Sequence, residues 1–166
     1  MGCMGDFIAQ IRAAAAQDLY YVALMATLNL VDICGALQAE NGQASGPKFK
    51  KWLRANVPTH AMNAELIYGL RCSLLHQGRA LPKGSHFPMA FMGPGNLQLH
   101  NLVTEADGDE VGWLSIEMFV EEVTAGAEGW LRDYGSTPTV ERNLERFARL
   151  RPEGLPPHVE GQAVIT

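Results

Sequence analysis

The stretch Tyr20–Leu37 constrains this chain more than any other. It is eighteen residues of nearly unbroken apolar character, and a helix that is apolar almost all round has to be buried on every side. It therefore predicts the central helix of a bundle, with other elements wrapped about it. The run is nearly long enough to cross a bilayer, but Asn29 and Asp32 fall inside it. An unpaired aspartate at that depth costs about 2.5–3.5 kcal/mol even on a lenient insertion scale. A buried helix is the expectation, with no membrane span. Asn29 and Asp32 share a face with Met25 and Ala36, and a charge there needs a partner. Arg71 is the obvious candidate.

A second stretch combines helical patterning with chemistry. In Leu70–Gly78, Leu-Arg-Cys-Ser-Leu-Leu-His-Gln-Gly, polar side chains sit within an apolar helical pattern that stops at Gly78. At about 100° per residue, Leu66, Ile67, Leu70 and Leu74 form one apolar stripe. Arg71 and His76 lie on either side of the remaining surface, and Tyr68, Cys72 and Leu75 lie between them. A helix apolar on two faces needs two partners. The second is either another helix of the same chain or the same helix of a second copy, which would bring two Arg71/His76 pairs to one two-fold seam.

Arg71 and His76, with four residues between them, resemble the RxxxxH signature of HEPN domains, small helical bundles that include many metal-independent ribonucleases. The preceding apolar helix and the Lys/Trp-rich segment Lys48–Trp52 are similar too. The whole run resembles that of an uncharacterised bacterial group, and the likeness extends from Asp18 to about Tyr134. The resemblance implies a HEPN-like bundle of four to six helices, dimeric through the Tyr68/Cys72/Leu75 face and toxin- or defence-related, while the scattered cysteines point to the reduced cytoplasm. RNA and a protein regulator are the partners it implies. In that chemistry Arg71 steadies phosphate charge, since its fixed fork matches phosphate oxygens. His76 moves protons during attack by the RNA 2′-hydroxyl, its ordinary pKa lying near neutrality. Asp32, Asn29 and Tyr68 are the supporting residues. The residue after the arginine is often Asn, Asp or His in active members, whereas here it is Cys72. A catalytically silent module that binds a nucleotide or a protein, or a plain dimeric scaffold, is the alternative. On the residues alone, Arg71 is a structural partner of Asp32 and His76 a helix-end cation.

The rest of the chain fits one domain over residues 1–150. With 166 residues, 47% hydrophobic and 19% charged, it can bury a core without disulfides or metal. Cys3, Cys34 and Cys72 are too scattered to suggest a disulfide framework. The N-terminus lacks the marks of a signal peptide. A net charge of −5 argues mildly against unspecific nucleic-acid binding. Lys48, Lys50, Lys51 and Arg54, with Trp52, nevertheless form a candidate RNA-facing patch.

Helices are expected near Phe7–Ala16 with Asp6 as N-cap, from Asp18 as cap to Leu37, over Lys48–Val57 behind Pro47, and from about Ala61 to Gln77. A small antiparallel β insertion, about 86–114, is expected as a hairpin of Phe87–Met92 and Leu97–Thr104 around Gly93–Asn96, with a third short strand at Val111–Leu114. A long amphipathic helix follows from Ser115, then a shorter one to Leu150, and 151–166 reads as a mobile tail. The five separated histidines show no ligand spacing, so no metal or cofactor is indicated. Phosphate-loop, dinucleotide and hydrolase-elbow motifs are missing too.

Overall fold

The computed structural model describes residues 3–60 and 63–166. Among them are six α-helices, α1 (Cys3–Ala16), α2 (Tyr20–Leu37), α3 (Gly46–Asn56), α4 (Ala64–Gln77), α5 (Ile116–Tyr134) and α6 (Pro138–Leu144). Helix α2 is the hub. It packs against α1, α3, α4, α5 and α6, and Ala23, Leu28, Leu30, Val31 and Cys34 are fully buried. Among the described residues it is the one helix long and apolar enough to cross a membrane, yet 56% of it is buried within the bundle. Around it Phe49, Trp52, Leu53, Leu70 and Phe119 close the core. Trp52 meets Trp130 edge-on at 6.2 Å. Near the end of α2, the carbonyls of Leu37 and Ala39 accept from Nδ2 of buried Asn143, each at 2.9 Å. That side-chain donor satisfies carbonyls where helical bonding runs out.

Local capping differs from expectation at two places. Asp6 lies in the first turn of α1 and is not its cap. Asp18 closes α1 instead of opening α2. It takes a left-handed conformation (φ 58°), its N–H donates to Ala15, and Leu19 N–H donates to Ala14, the paired bonding that ends a helix. Aspartate tolerates that conformation better than most residues. Gly78 ends α4, also in a left-handed conformation (φ 65°), with its N–H donating to Leu74 and Arg79 N–H to Ser73, as its sequence position predicts. The expected start of α4 at Ala61 lies outside the described residues.

The β insertion corrects the expected pairing. Strands β1 (Met89–Met92), β2 (Leu102–Ala106) and β3 (Asp109–Ser115) form one sheet in the order β1-β3-β2. The hairpin is β2–β3, not β1–β2, and β1 joins β3 in parallel, Met89 opposite Gly112. The sheet is therefore mixed. Asp107 and Gly108 both have positive φ, at 54° and 86°. That two-residue turn suits the twist of adjacent strands, whereas Gly93–Asn96 only leads out of β1.

The last helix stops at Leu144, short of the expected Leu150. Residues 151–166 are tied by backbone ladders, β4 (Leu150–Arg151) with β7 (Val164–Ile165) and β5 (Gly154–Leu155) with β6 (Val159–Glu160). Most side chains there are exposed, in keeping with a composition that offers little to bury.

Candidate functional site

Asp32, Arg71 and His76 form one chain of hydrogen bonds that runs from core to surface. Asp32 is buried on α2, and Arg71 on α4 donates to it through Nε. Arg71 Nη1 then donates to Nε2 of His76 at 2.9 Å. A guanidinium has donors only, so Nε2 of His76 must be the acceptor and the ring proton sits on Nδ1. His76 is exposed in the last turn of the helix. Burial raises the pKa of Asp32 above its ordinary 3.8, and the charge of Arg71 works against that shift.

Helix geometry explains how two residues five apart meet. Arg71 lies at the margin of the buried stripe, where Ile67, Leu70 and Leu74 face the core. Its long side chain reaches along the helix, and His76 folds back towards it from the final turn. The resulting unit presents a cation held in place, with the imidazole lone pair directed at it.

The other residues picked out in the sequence lie outside this unit. Asn29 stands exposed three residues before Asp32 and, among the described residues, makes no side-chain hydrogen bond to the group. Tyr68 is half-buried against Phe49, with ring centroids 5.3 Å apart. It rests on Gly46, where a Cβ would come within 2.7 Å of the ring. The neighbouring Cys72 thiol is the main reason its phenol pKa is raised. Cys72 and Leu75 are also half-buried.

The basic residues of α3 are largely engaged. Lys48 donates to Asn41 and to the Gln43 carbonyl, each at 2.6 Å. Lys50 and Arg54 share Glu65, at 2.7 and 3.1 Å. Lys51 is exposed. Trp52, grouped with them as a base-stacking residue, is fully buried, so stacking on a nucleotide is ruled out for it. Its apolar bulk belongs to the core stripe of α3, and the lysines point elsewhere.

A second polar cluster has no local signature in the sequence. His60 ends the 3-10 turn Pro58–His60 after α3, His100 lies just before β2, and Glu122 is on α5. Glu122 Oε2 lies 2.9 Å from Nε2 of His60 and 3.1 Å from Nε2 of His100. His60 is fully buried between His100 and Phe119, its ring edge-on to both. Burial lowers its pKa, with Glu122 opposing. The partners are 62 and 22 residues apart in the chain, so no spacing rule finds them; only the fold brings them together.

Comparison of the chain with protein-family models, with curated proteins and with solved structures finds no match in any of the three.

Proposed function

We propose that this protein is a HEPN-like, metal-independent RNA-cleaving protein of the cytoplasm, toxin- or defence-related, with Arg71 and His76 as its catalytic pair. The observation that carries the reading is the 2.9 Å bond from Arg71 Nη1 to His76 Nε2, anchored from behind by Asp32. A general base needs an available lone pair, and phosphate chemistry needs a fixed positive charge close by. One helix end carries both groups, with the Nε2 lone pair held by Arg71 at rest. Arg71 would turn from His76 to the scissile phosphate, which frees Nε2 to take the proton of the 2′-hydroxyl. A symmetric dimer through Tyr68, Cys72 and Leu75 would line one cleft with two such pairs.

A second reading is favoured by a different observation. Arg71 is already engaged at both ends, Cys72 brings no polar helper, and the net charge is −5. A catalytically silent module that binds a nucleotide or a protein, or a dimeric scaffold, would need no free guanidinium.

The test is cleavage of total RNA in the presence of a chelator, comparing wild type with His76→Ala. The enzyme reading expects cleavage by wild type and its loss in the variant. Equal cleavage by both indicates a contaminant, and a wild type that cleaves nothing turns the reading to the binding module.

A further inference from the structure

We propose that His60, His100 and Glu122 form a binding site for a divalent transition-metal ion of the zinc class, which fastens the β insertion to the helical bundle. The site shares no residue with Asp32, Arg71 and His76, and it stands or falls independently of the RNA-cleaving reading.

The donor set and its geometry carry the argument. Two imidazoles and one carboxylate are the nitrogen and oxygen ligands that zinc takes readily. One donor atom from each residue lies within 4.8 Å of both others. Zinc bonds of about 2.0–2.1 Å in tetrahedral array place donor atoms roughly 3.3 Å apart. The two edges that run to Glu122 Oε2, 2.9 and 3.1 Å, are therefore close to what an ion needs. The ligands come from three separate elements, each held by its own packing. His60 is wedged between His100 and Phe119. The loop carrying His100 is tied back through Asn101, whose Nδ2 donates to the Thr59 carbonyl and whose Oδ1 accepts from Asn63, both at 2.5 Å. The side-chain positions are set before an ion arrives, and binding then requires the ring protons of both histidines to move.

An entry path exists. Glu122 is about one-fifth exposed, and it opens onto a groove of about 420 Å³ lined by Asn56, Val57, Pro58, Thr59 and Gly126. Glu122 itself lines that groove, so the carboxylate is the part of the cluster that water reaches. The Nδ1 atom of His60 has no hydrogen-bond partner among the described residues. It can take the ring proton when Nε2 turns its lone pair to an ion.

His100 gives the site a signature. Ser115 N–H donates to its Nδ1 at 3.2 Å, so the ring proton is on Nε2 and points at Glu122. An ion takes the place of that proton. The proton moves to Nδ1, and the contact with Ser115 must part. Metal uptake is therefore coupled to a change at the first residue before α5.

The experiment uses the full chain after dialysis against a chelator, titrated with Zn²⁺ and with Co²⁺. The expected result is one ion per chain and a higher melting temperature. The Co²⁺ form should show visible ligand-field absorption without a thiolate charge-transfer band, which excludes the cysteines. The Ser115 amide resonance should shift on binding. Glu122→Gln should weaken binding at least tenfold, and His100→Gln serves in its place if that variant is not helical by circular dichroism. His86→Ala removes the surface pair with Glu110 and should bind as wild type does. The proposal is overturned if wild type takes up no ion, in which case the cluster is a hydrogen-bonded clamp only. It is equally overturned if the site variants bind undiminished, or if binding is lost in His86→Ala.

Discussion

Arg71 on α4 reaches Asp32 on α2, so the one carboxylate in the hub helix is neutralised by the residue that also holds His76. The exposures of the two side chains are 20% and 9%, so the carboxylate is buried and the guanidinium partly so. Removing one partner leaves an uncompensated charge in a poor solvent.

Arg71→Ala should therefore lower stability by about 3 kcal/mol, at the low end for a buried pair because Arg71 is partly exposed. Adding Asp32→Asn should restore much of the loss, since the stranded carboxylate is gone. Urea unfolding of the single and double variants checks both. Nearly equal midpoints for wild type and Arg71→Ala would refute the buried pair.

The pH dependence has a definite sign. Burial, partly offset by Arg71, raises the pKa of Asp32 above 3.8, so the folded state holds this proton more tightly than the unfolded chain does. Its contribution is fully present below 3.8 and is lost as pH rises through the folded value. Relative to wild type, Asp32→Asn should gain stability across that window and level off above it. Denaturant titrations of the two proteins between acid and neutral pH measure the difference, and a gap that moves the other way would show that Arg71 outweighs burial.

Two glycines on α5 should respond oppositely to alanine. A Cβ at Gly126 would lie 2.5 Å from the Asn56 carbonyl oxygen on α3, whereas one at Gly129 meets only the end of Arg132 at 3.5 Å. Gly126→Ala should cost about 1–3 kcal/mol by forcing α3 and α5 apart. Gly129→Ala should gain about 0.5–1 kcal/mol from helix propensity. Thermal unfolding of the pair is sufficient, and a gain at Gly126 would mean that α3 yields freely.

The dimer belongs to the proposed function and has its own test. Leu75 is half-buried beside Arg71 and His76. On the dimer reading, Leu75→Glu should give a helical monomer by light scattering and circular dichroism. A wild type that is monomeric at high concentration removes the composite-site mechanism with it.

The helices were legible because their signals are local. The apolar run of α2, the stop at Gly78, and Ser115 as the cap that accepts from Met118 N–H each act within one or two turns. The Asp32–Arg71 pair was legible for a related reason. A carboxylate in a helix buried all round must be compensated, and the only strongly cationic residue in the next apolar helical stretch is Arg71.

What the sequence by itself determined is thus the mainly helical class, the hub helix and its charge partner. Only the tertiary structure decided that β1 pairs in parallel with β3 and that His60, His100 and Glu122 meet. Alternation along a strand records which side faces inward but not which strand lies beside it. Side chains 62 residues apart carry no mutual pattern at all, because their proximity is set by how α5 packs against the turn after α3.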